Sequence, residues 1–486
     1  MSIHIMRWTT MLLLLMSGIF AADAQNTPTP VNTSPTPRKS TLAEQSQVSL
    51  TVYNSNIALV REQRAVDLAA GRNLLQFMDV AAQIIPATVH VKSLSDSQDL
   101  QVLEQNYEYD LLSPEKLLEK YVGKEVKLFD KNYYTGKDEV VTGTLLSTNG
   151  GTIYQIGNEI HLNPPGRVIL PQVPDNLIAH PTLVWMLQAS TAGKHQLEAS
   201  YLTNQVTWQA DYIAVLNTDD TLVDLSGWVT LDNKSGATYQ NAALKLVAGD
   251  VHRLTPPEVY EKTMVMMASA RSAEPQFKEE GLFEYHLYTL DRPTTLKDKQ
   301  TKQLALLSAT AIPVTKRFIF RGEPRYFYGM YGEDTFQKQK VIVELEIENA
   351  KKNNLGIPLP KGTVRVYKAD SEGSSQFLGE DAIDHTPVDE TFTIKTGDAF
   401  DVVGERKQTE FKQISPTVTE SAWEISLRNR KTEDITVRVI EPVPGDWEVL
   451  STSHKYTKTD AHTLQFEVSV PKSREVKVTY RVRVKR

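Results

Sequence analysis

The sequence predicts an all-β protein of several domains, with β-sandwich architecture and a small inserted β-barrel-like module. Three observations predict it. Apolar and polar residues alternate with period two through most of the chain, as in 341–348, where Val341, Val343, Leu345 and Ile347 oppose Glu344, Glu346 and Glu348. Such alternation marks strands with one buried face. Turn signals such as Asn54-Ser55-Asn56 and Asn149-Gly150-Gly151 recur between these runs, and only one short stretch carries helix signals. At 486 residues, the chain also exceeds what one hydrophobic core usually serves.

The first residues, MSIHIMRWTTMLLLLMSGIFAADAQ, place Arg7 before an apolar run from Met11 to Phe20, followed by Ala22-Asp23-Ala24. This is the pattern of a secretory signal peptide over 1–24, cleaved before Gln25. The run is shorter than the roughly 20 apolar residues of a spanning helix, so no membrane span is expected after cleavage. Residues 25–46 are rich in Pro, Thr and Ser and read as a disordered linker.

An N-terminal β-domain is expected over 47–112. Val48, Leu50 and Val52 alternate before the turn at 54–56, and AVDL, the turn Ala70 to Asn73 and LLQFMDV suggest a second strand pair, with Val89 and Val91 continuing the alternation. Ser113 as N-cap and Pro114 at the first helical position open a short helix through Leu117, Leu118 and Tyr121. EVKLF, EVVTGTLLS, TIYQI, EIHL and RVIL then read as brief strands of a small barrel, making 113–174 a module that Pro171 and Pro174 close.

Residues 175–486 form the expected C-terminal β-sandwich region. Trp208, Ala210, Tyr212, Ala214 and Leu216 share one strand face, as do Leu225, Gly227, Val229 and Leu231. The last strand sets Val476, Val478, Tyr480, Val482 and Val484 against Lys477, Thr479, Arg481, Arg483 and Lys485. Irregular strand lengths and long polar loops argue against an outer-membrane barrel. Residues 255–282 have neither period and read as a mobile surface loop, in which Met264, Met266 and Met267 offer an adaptable contact.

Lys+Arg 53 against Asp+Glu 60 gives a net charge of -7 with both signs dispersed, so no nucleic-acid partner is expected. The absence of cysteine excludes disulfides, thiolate metal sites and cysteine nucleophiles.

The runs YLTNQVTWQADYIAVL, LSGWVTLDNKSGATYQNAALKLVAGD and FLGEDAIDHTPVDETFTIKTGDAFDVVGERK make residues 180–486 resemble the exported bacterial family carrying the domain of unknown function 4139. Trp208, Ala210, Tyr212, Asn233, Gly236, Ala248-Gly249-Asp250, Gly379-Glu380-Asp381 and His385-Thr386-Pro387 carry the resemblance. Residues 48–94 resemble the N-terminal domain of mucoidy inhibitor-like proteins, in which that C-terminal domain recurs. Those relatives usually place a helical coiled coil between the two domains, where this chain has a strand-rich module. The resemblance implies an exported all-β protein and supplies no active site.

Hydrolase, phosphate-loop and calcium-loop motifs are missing from the sequence. The catalytic candidates are Asp250 and His252 in KLVAGDVHR, with Glu380, Asp381 and His385 in GEDAIDHTP. Were the strand to run on past Gly249, Asp250 and His252 would share a face as two metal ligands, and a distant Glu380 or His385 would have to supply a third. The competing reading is structural: Gly249 takes a conformation few residues tolerate, Asp250 closes an Asx-turn, and the second cluster caps backbone groups. Tyr326, Tyr328 and Tyr331 in PRYFYGMYG, read as a strand, are ligand-binding candidates for a sugar ring or peptidoglycan. No cofactor is expected. The function expected is that of a non-catalytic exported protein of the periplasm or cell surface, binding an envelope protein or polysaccharide. A metal-assisted periplasmic hydrolase is the alternative.

Overall fold

The computed structural model describes residues 36–95, 99–131, 136–174, 177–252, 276–332 and 336–486. The expected signal peptide, most of the linker and Met264, Met266 and Met267 lie outside these residues. Strands dominate, and among the described residues they form sheets of four, five, eight and thirteen members, so the protein is all-β. No helix among the described residues is long and apolar enough to cross a membrane.

Alternation and turn chemistry place the first hairpin as expected. Gln45–Tyr53 pairs antiparallel with Ile57–Leu68, Asn56 takes a left-handed φ of 55° in the turn, and Val48, Leu50 and Val52 are buried. The second expected pair does not form. Beyond Gly71 (φ 95°) the chain crosses to another sheet, where Gly71–Met78 pairs with Thr182–Ala189 and, in parallel, with Arg38–Ser40. The strands were legible, but their partners depend on a corner that turns one strand out of its sheet.

Arg64 joins these two sheets. Its guanidinium is fully buried, donates to Glu62 Oε1 at 2.7 Å, to Ser40 O at 2.9 Å and to Met78 O at 2.8 Å, and lies 3.7 Å from the Phe77 ring centroid. A buried guanidinium requires acceptors for its N–H groups, and the backbone at Ser40 supplies one. The described part of the expected linker is therefore ordered: Arg38–Ser40 is a strand, Leu42–Glu44 a 3-10 turn, and Gln45 already part of the first hairpin.

The module at 113–174 is extruded from one strand pair. Leu100–Glu108 and Thr182–Ala189 are antiparallel partners, and a bridge between Leu111 and Ile178 prolongs them toward the insertion. Ser113 caps helix Pro114–Tyr121 by accepting from Lys116 N–H. The five expected strands follow at Glu125–Lys131, Asp138–Ser147, Ile153–Ile156, Glu159–Leu162 and Arg167–Ile169. Their two outer strands do not pair with each other, so the sheet stays open rather than closing into a barrel. Its core is Tyr121, Val126, Leu128, Leu145 and Tyr154.

The boundary expected at 174 does not separate sheets. Gly193–Asn204 pairs along the whole of Ile57–Leu68, and Tyr239–Ala248 pairs in parallel with Gln45–Tyr53. One hydrophobic core thus takes residues from Val48 to Ile394, and a second is built from Phe318 to Val484. The strands Gln300–Arg321 and Thr391–Ser415 contribute to both. Part of the loop expected at 255–282 is also strand: Phe277–Leu282 pairs with Tyr285–Leu290 through a turn in which Phe283 has φ 57°.

Arg64→Ala is expected to lower unfolding stability by about 3–5 kcal/mol, because it leaves Glu62 buried without its counter-charge. Urea unfolding measures this, and limited proteolysis should show cleavage appearing near Ser40. An unchanged midpoint would show that the pair does not hold the sheets together.

Candidate functional site

Strand Tyr239–Ala248 carries Leu244, Leu246 and Ala248 into the first core and then stops. Gly249 follows at φ 132°, and a Cβ there would meet the Tyr285 ring at 2.4 Å, so glycine is required at this bend. Because the strand ends before Gly249, Asp250 and His252 do not share a strand face. Asp250 closes no Asx-turn either: Lys361 Nζ donates to its Oδ1 at 2.5 Å. That ammonium holds the Asp250 carboxyl below its usual range. His252 is exposed and makes no hydrogen bond or ion pair among the described residues.

Lys361 also brings in His385. The Lys361 backbone N–H donates to His385 Nδ1 at 3.2 Å, so segments far apart in sequence meet on one lysine. Asp250 and His385 thus meet through Lys361, not as ligands of a shared metal. Accepting at Nδ1 places the proton of the neutral ring on Nε2, which is buried and has no hydrogen-bond partner among the described residues. Burial and the Lys361 charge push the His385 pKa down, against opposing pulls from Asp250 and Asp384.

The other acidic candidates hold the fold. Glu380 pairs with Arg365 at 3.0 Å, directly across the strand pair, and Arg365 also reaches Asp211 at 3.1 Å. Asp381 accepts from Ala382 N–H at 2.9 Å and Lys395 N–H at 2.8 Å, while Asp384 accepts from His385 N–H at 2.8 Å. Asp384 takes the backbone-capping role expected of an acid at a turn, while Asp381, within strand Ser375–Ile383, accepts from the neighbouring strand. Among the described residues no group of three or more His, Asp or Glu could hold a metal ion.

A cavity of about 280 Å³ adjoins this meeting point, lined by Ala248, Gly249, Glu284, His286, Tyr288, Pro358, Leu359, Pro360, His385, Thr386 and Pro387. Its proline-rich wall is fixed by tyrosines: Tyr212 donates to Pro360 O at 2.7 Å and Tyr288 to Pro358 O at 3.0 Å.

The aromatic stretch is not a strand. Pro324–Phe327 is a 3-10 turn, because Pro324 fits its first position and Gly329 follows. Tyr326 is buried, its ring 4.3 Å from Tyr331 and 5.9 Å from Trp423, with the Arg406 guanidinium 4.7 Å away. Tyr331 is half-buried against the same core, and its N–H donates to Gln408 at 2.8 Å. Only Tyr328, 51% exposed beneath the Arg486 guanidinium, faces outward with Met330. The three tyrosines do not form one ligand-facing row.

Sequence reasoning missed a second cleft, of about 380 Å³, where strands 337–348 and 391–415 lose register. Ile342 pairs with Asp398 and Lys340 with Val403, so Ala399 to Val402 bulge from this ladder. The bulge throws Phe400 into solvent at 96% exposure, above a floor that includes Phe318, Val343 and Leu345. Lys316 at its rim is fixed by Asp220 at 2.7 Å, and Asp220 is held also by Lys368 at 2.5 Å. The only sequence signal was Gly397 ahead of a phenylalanine whose neighbours are acidic, which alternation alone does not single out.

With a folded pKa below its unfolded value, neutral His385 contributes stability that is present above about pH 6.5 and declines as pH falls through the folded value. Urea unfolding at pH 7.5 and 5.5 should show a larger loss for the parent than for His385→Gln, and equal losses would remove His385 from the pH dependence. Asp250 is 77% exposed, so Asp250→Ala should cost only about 0.2–1 kcal/mol by thermal melt, and His252→Ala nothing measurable.

No curated protein matches the chain. A family model described as a domain of unknown function, DUF4139, matches residues 197–486, a span that contains the Phe400 cleft, the His385 cavity and all the candidate residues above. The chain belongs to the DUF4139 family.

Proposed function

We propose that the protein is a non-catalytic binding module of the bacterial cell envelope, exported by its N-terminal signal and engaging an envelope protein through the Phe400 cleft. The observation that carries this reading is Phe400 itself, 96% exposed beside Leu378 over a floor of Phe318, Val343 and Leu345. An aromatic side chain held out by a backbone bulge forfeits burial within its own chain, and such residues anchor protein interfaces when a partner covers them. The mixed rim of Lys316, Lys431, Asp398 and Asp401 suits a polar surround to that anchor. The roles of Asp250, Glu380 and Asp381 in ion pairs and backbone caps favour binding over a hydrolase. Export rests on the apolar run from Met11 to Phe20 and Ala22-Asp23-Ala24.

Phe400→Ser is expected to abolish retention of the purified protein on protein-containing envelope fractions while its Tm stays within a degree or two. Retention that survives protease treatment of the envelope but not removal of polysaccharide would replace the protein partner with a polysaccharide. Retention of Phe400→Ser equal to the parent would discard the cleft. Edman sequencing of protein from the envelope fraction should begin at Gln25, and a cytoplasmic chain beginning at Met1 would refute export.

A further inference from the structure

The His385 cavity has the features of a ligand site that the Phe400 cleft does not use. His385 Nε2 is a buried donor without a partner among the described residues, and its direction is set because Nδ1 is occupied by the Lys361 N–H. An unpaired buried donor is destabilising, and a ligand acceptor would remove that cost. Glu284 on the same cavity makes no ion pair or hydrogen bond among the described residues, so a carboxylate acceptor is free there. Nearby polar groups already have partners: Asp250 pairs with Lys361, and His286 Nδ1 lies 2.7 Å from Glu279 Oε1. Between them lie the apolar surfaces of Pro358, Leu359 and Pro387.

The His385 Nε2–H donor, the Glu284 carboxylate and the apolar wall between them match a group that has an acceptor, a donor and a small apolar substituent. We propose that this cavity binds a neutral secondary amide bearing a methyl or similarly small group, its carbonyl accepting from His385 Nε2–H and its N–H donating to Glu284. A carboxylate ligand is disfavoured by Glu284, and an ammonium offers His385 no acceptor. A cavity of about 280 Å³ accommodates such a group with the ring or backbone that carries it. The amide could be supplied by an N-acetylated amino sugar or by an acetylated peptide, and the two differ in what adjoins the amide.

The full chain is titrated with N-acetylglucosamine and, separately, with N-acetyl-alanine N-methylamide, while the His385 imidazole is followed by nitrogen-detected NMR. Glucose and acetate, which lack the amide, are the controls. Saturable movement of the His385 resonances with an amide probe and not with the controls is the expected result, and the probe that produces it identifies the source. By isothermal calorimetry, which does not need the imidazole signal, His385→Ala should remove this binding, His385→Gln should retain it because its amide N–H replaces Nε2–H, and Glu284→Ala should weaken it about tenfold. Glu284 is exposed, so that variant keeps the test valid if His385→Ala does not fold. Movement equal with glucose or acetate, no movement with either amide, or binding unaffected by Glu284→Ala overturns the proposal.

Discussion

Three strands that each run through both large cores set the geometry on which the rest of the structure depends, Gln337–Glu348 giving Val341 to the second core and Leu345 and Ile347 to the first. Gln300–Arg321 gives Leu304, Leu306, Leu307 and Ile312 to the first core and Phe318 and Phe320 to the second. Thr391–Ser415 does the same with Phe392 and Ile394, then Val402. A twisted strand of such length cannot keep one register against one partner, and the ladder slips where the chain leaves one core for the next. The slip between Lys340 and Ile342 is that passage, and the Phe400 cleft is its surface consequence. The floor of the cleft is therefore built from strands, with Asp220 and Lys431 of the flanking turns at its rim, and its position is fixed by the packing on either side.

Within the second core the same logic centres on Arg406. Its guanidinium forms two bonds with Glu441, at 2.7 and 2.6 Å, and both side chains are excluded from solvent. Phe320, Tyr326 and Trp423 surround it with aromatic faces. Gly322 passes so close that a Cβ would meet Glu441 Oε2 at 2.4 Å. Tyr326 is therefore bound to the pair's aromatic surround, and that explains why an aromatic run that looked ligand-facing in sequence turns its first tyrosine inward. Arg64 and Glu62 repeat the device in the first core, where the backbone of the other sheet completes the acceptor set. In each core a charge that cannot be left unpaired specifies which segments must lie together.

Local features were legible from sequence because they are decided locally. Ser113 and Pro114 announce a helix, Asn149-Gly150-Gly151 a turn between Asp138–Ser147 and Ile153–Ile156, and alternation the buried faces of 208–216 and 476–484. Pairing between distant strands was not legible. Nothing in 71–78 states that its partners are 38–40 and 182–189, since alternation fixes a face and not a neighbour. The candidate residues divided along the same line. Asp384 caps the backbone beside it, as acids at turns do, whereas Asp381 bonds Lys395 N–H of another strand and the joining of Asp250 and His385 required Lys361, a residue without any motif.

The family match begins at residue 197, inside strand Gly193–Asn204, whose partner over its whole length is Ile57–Leu68. Tyr239–Ala248 likewise depends on Gln45–Tyr53 for its parallel neighbour. The matched span is thus smaller than the unit that closes the first core in this chain, because edge strands left unpaired expose both apolar faces and backbone donors. Ala248 and Gly249, which begin the wall of the His385 cavity, sit at the end of one of these dependent strands. The cavity's shape consequently rests on residues 45–53, outside the family span, so the N-terminal strands are part of the scaffold of that site.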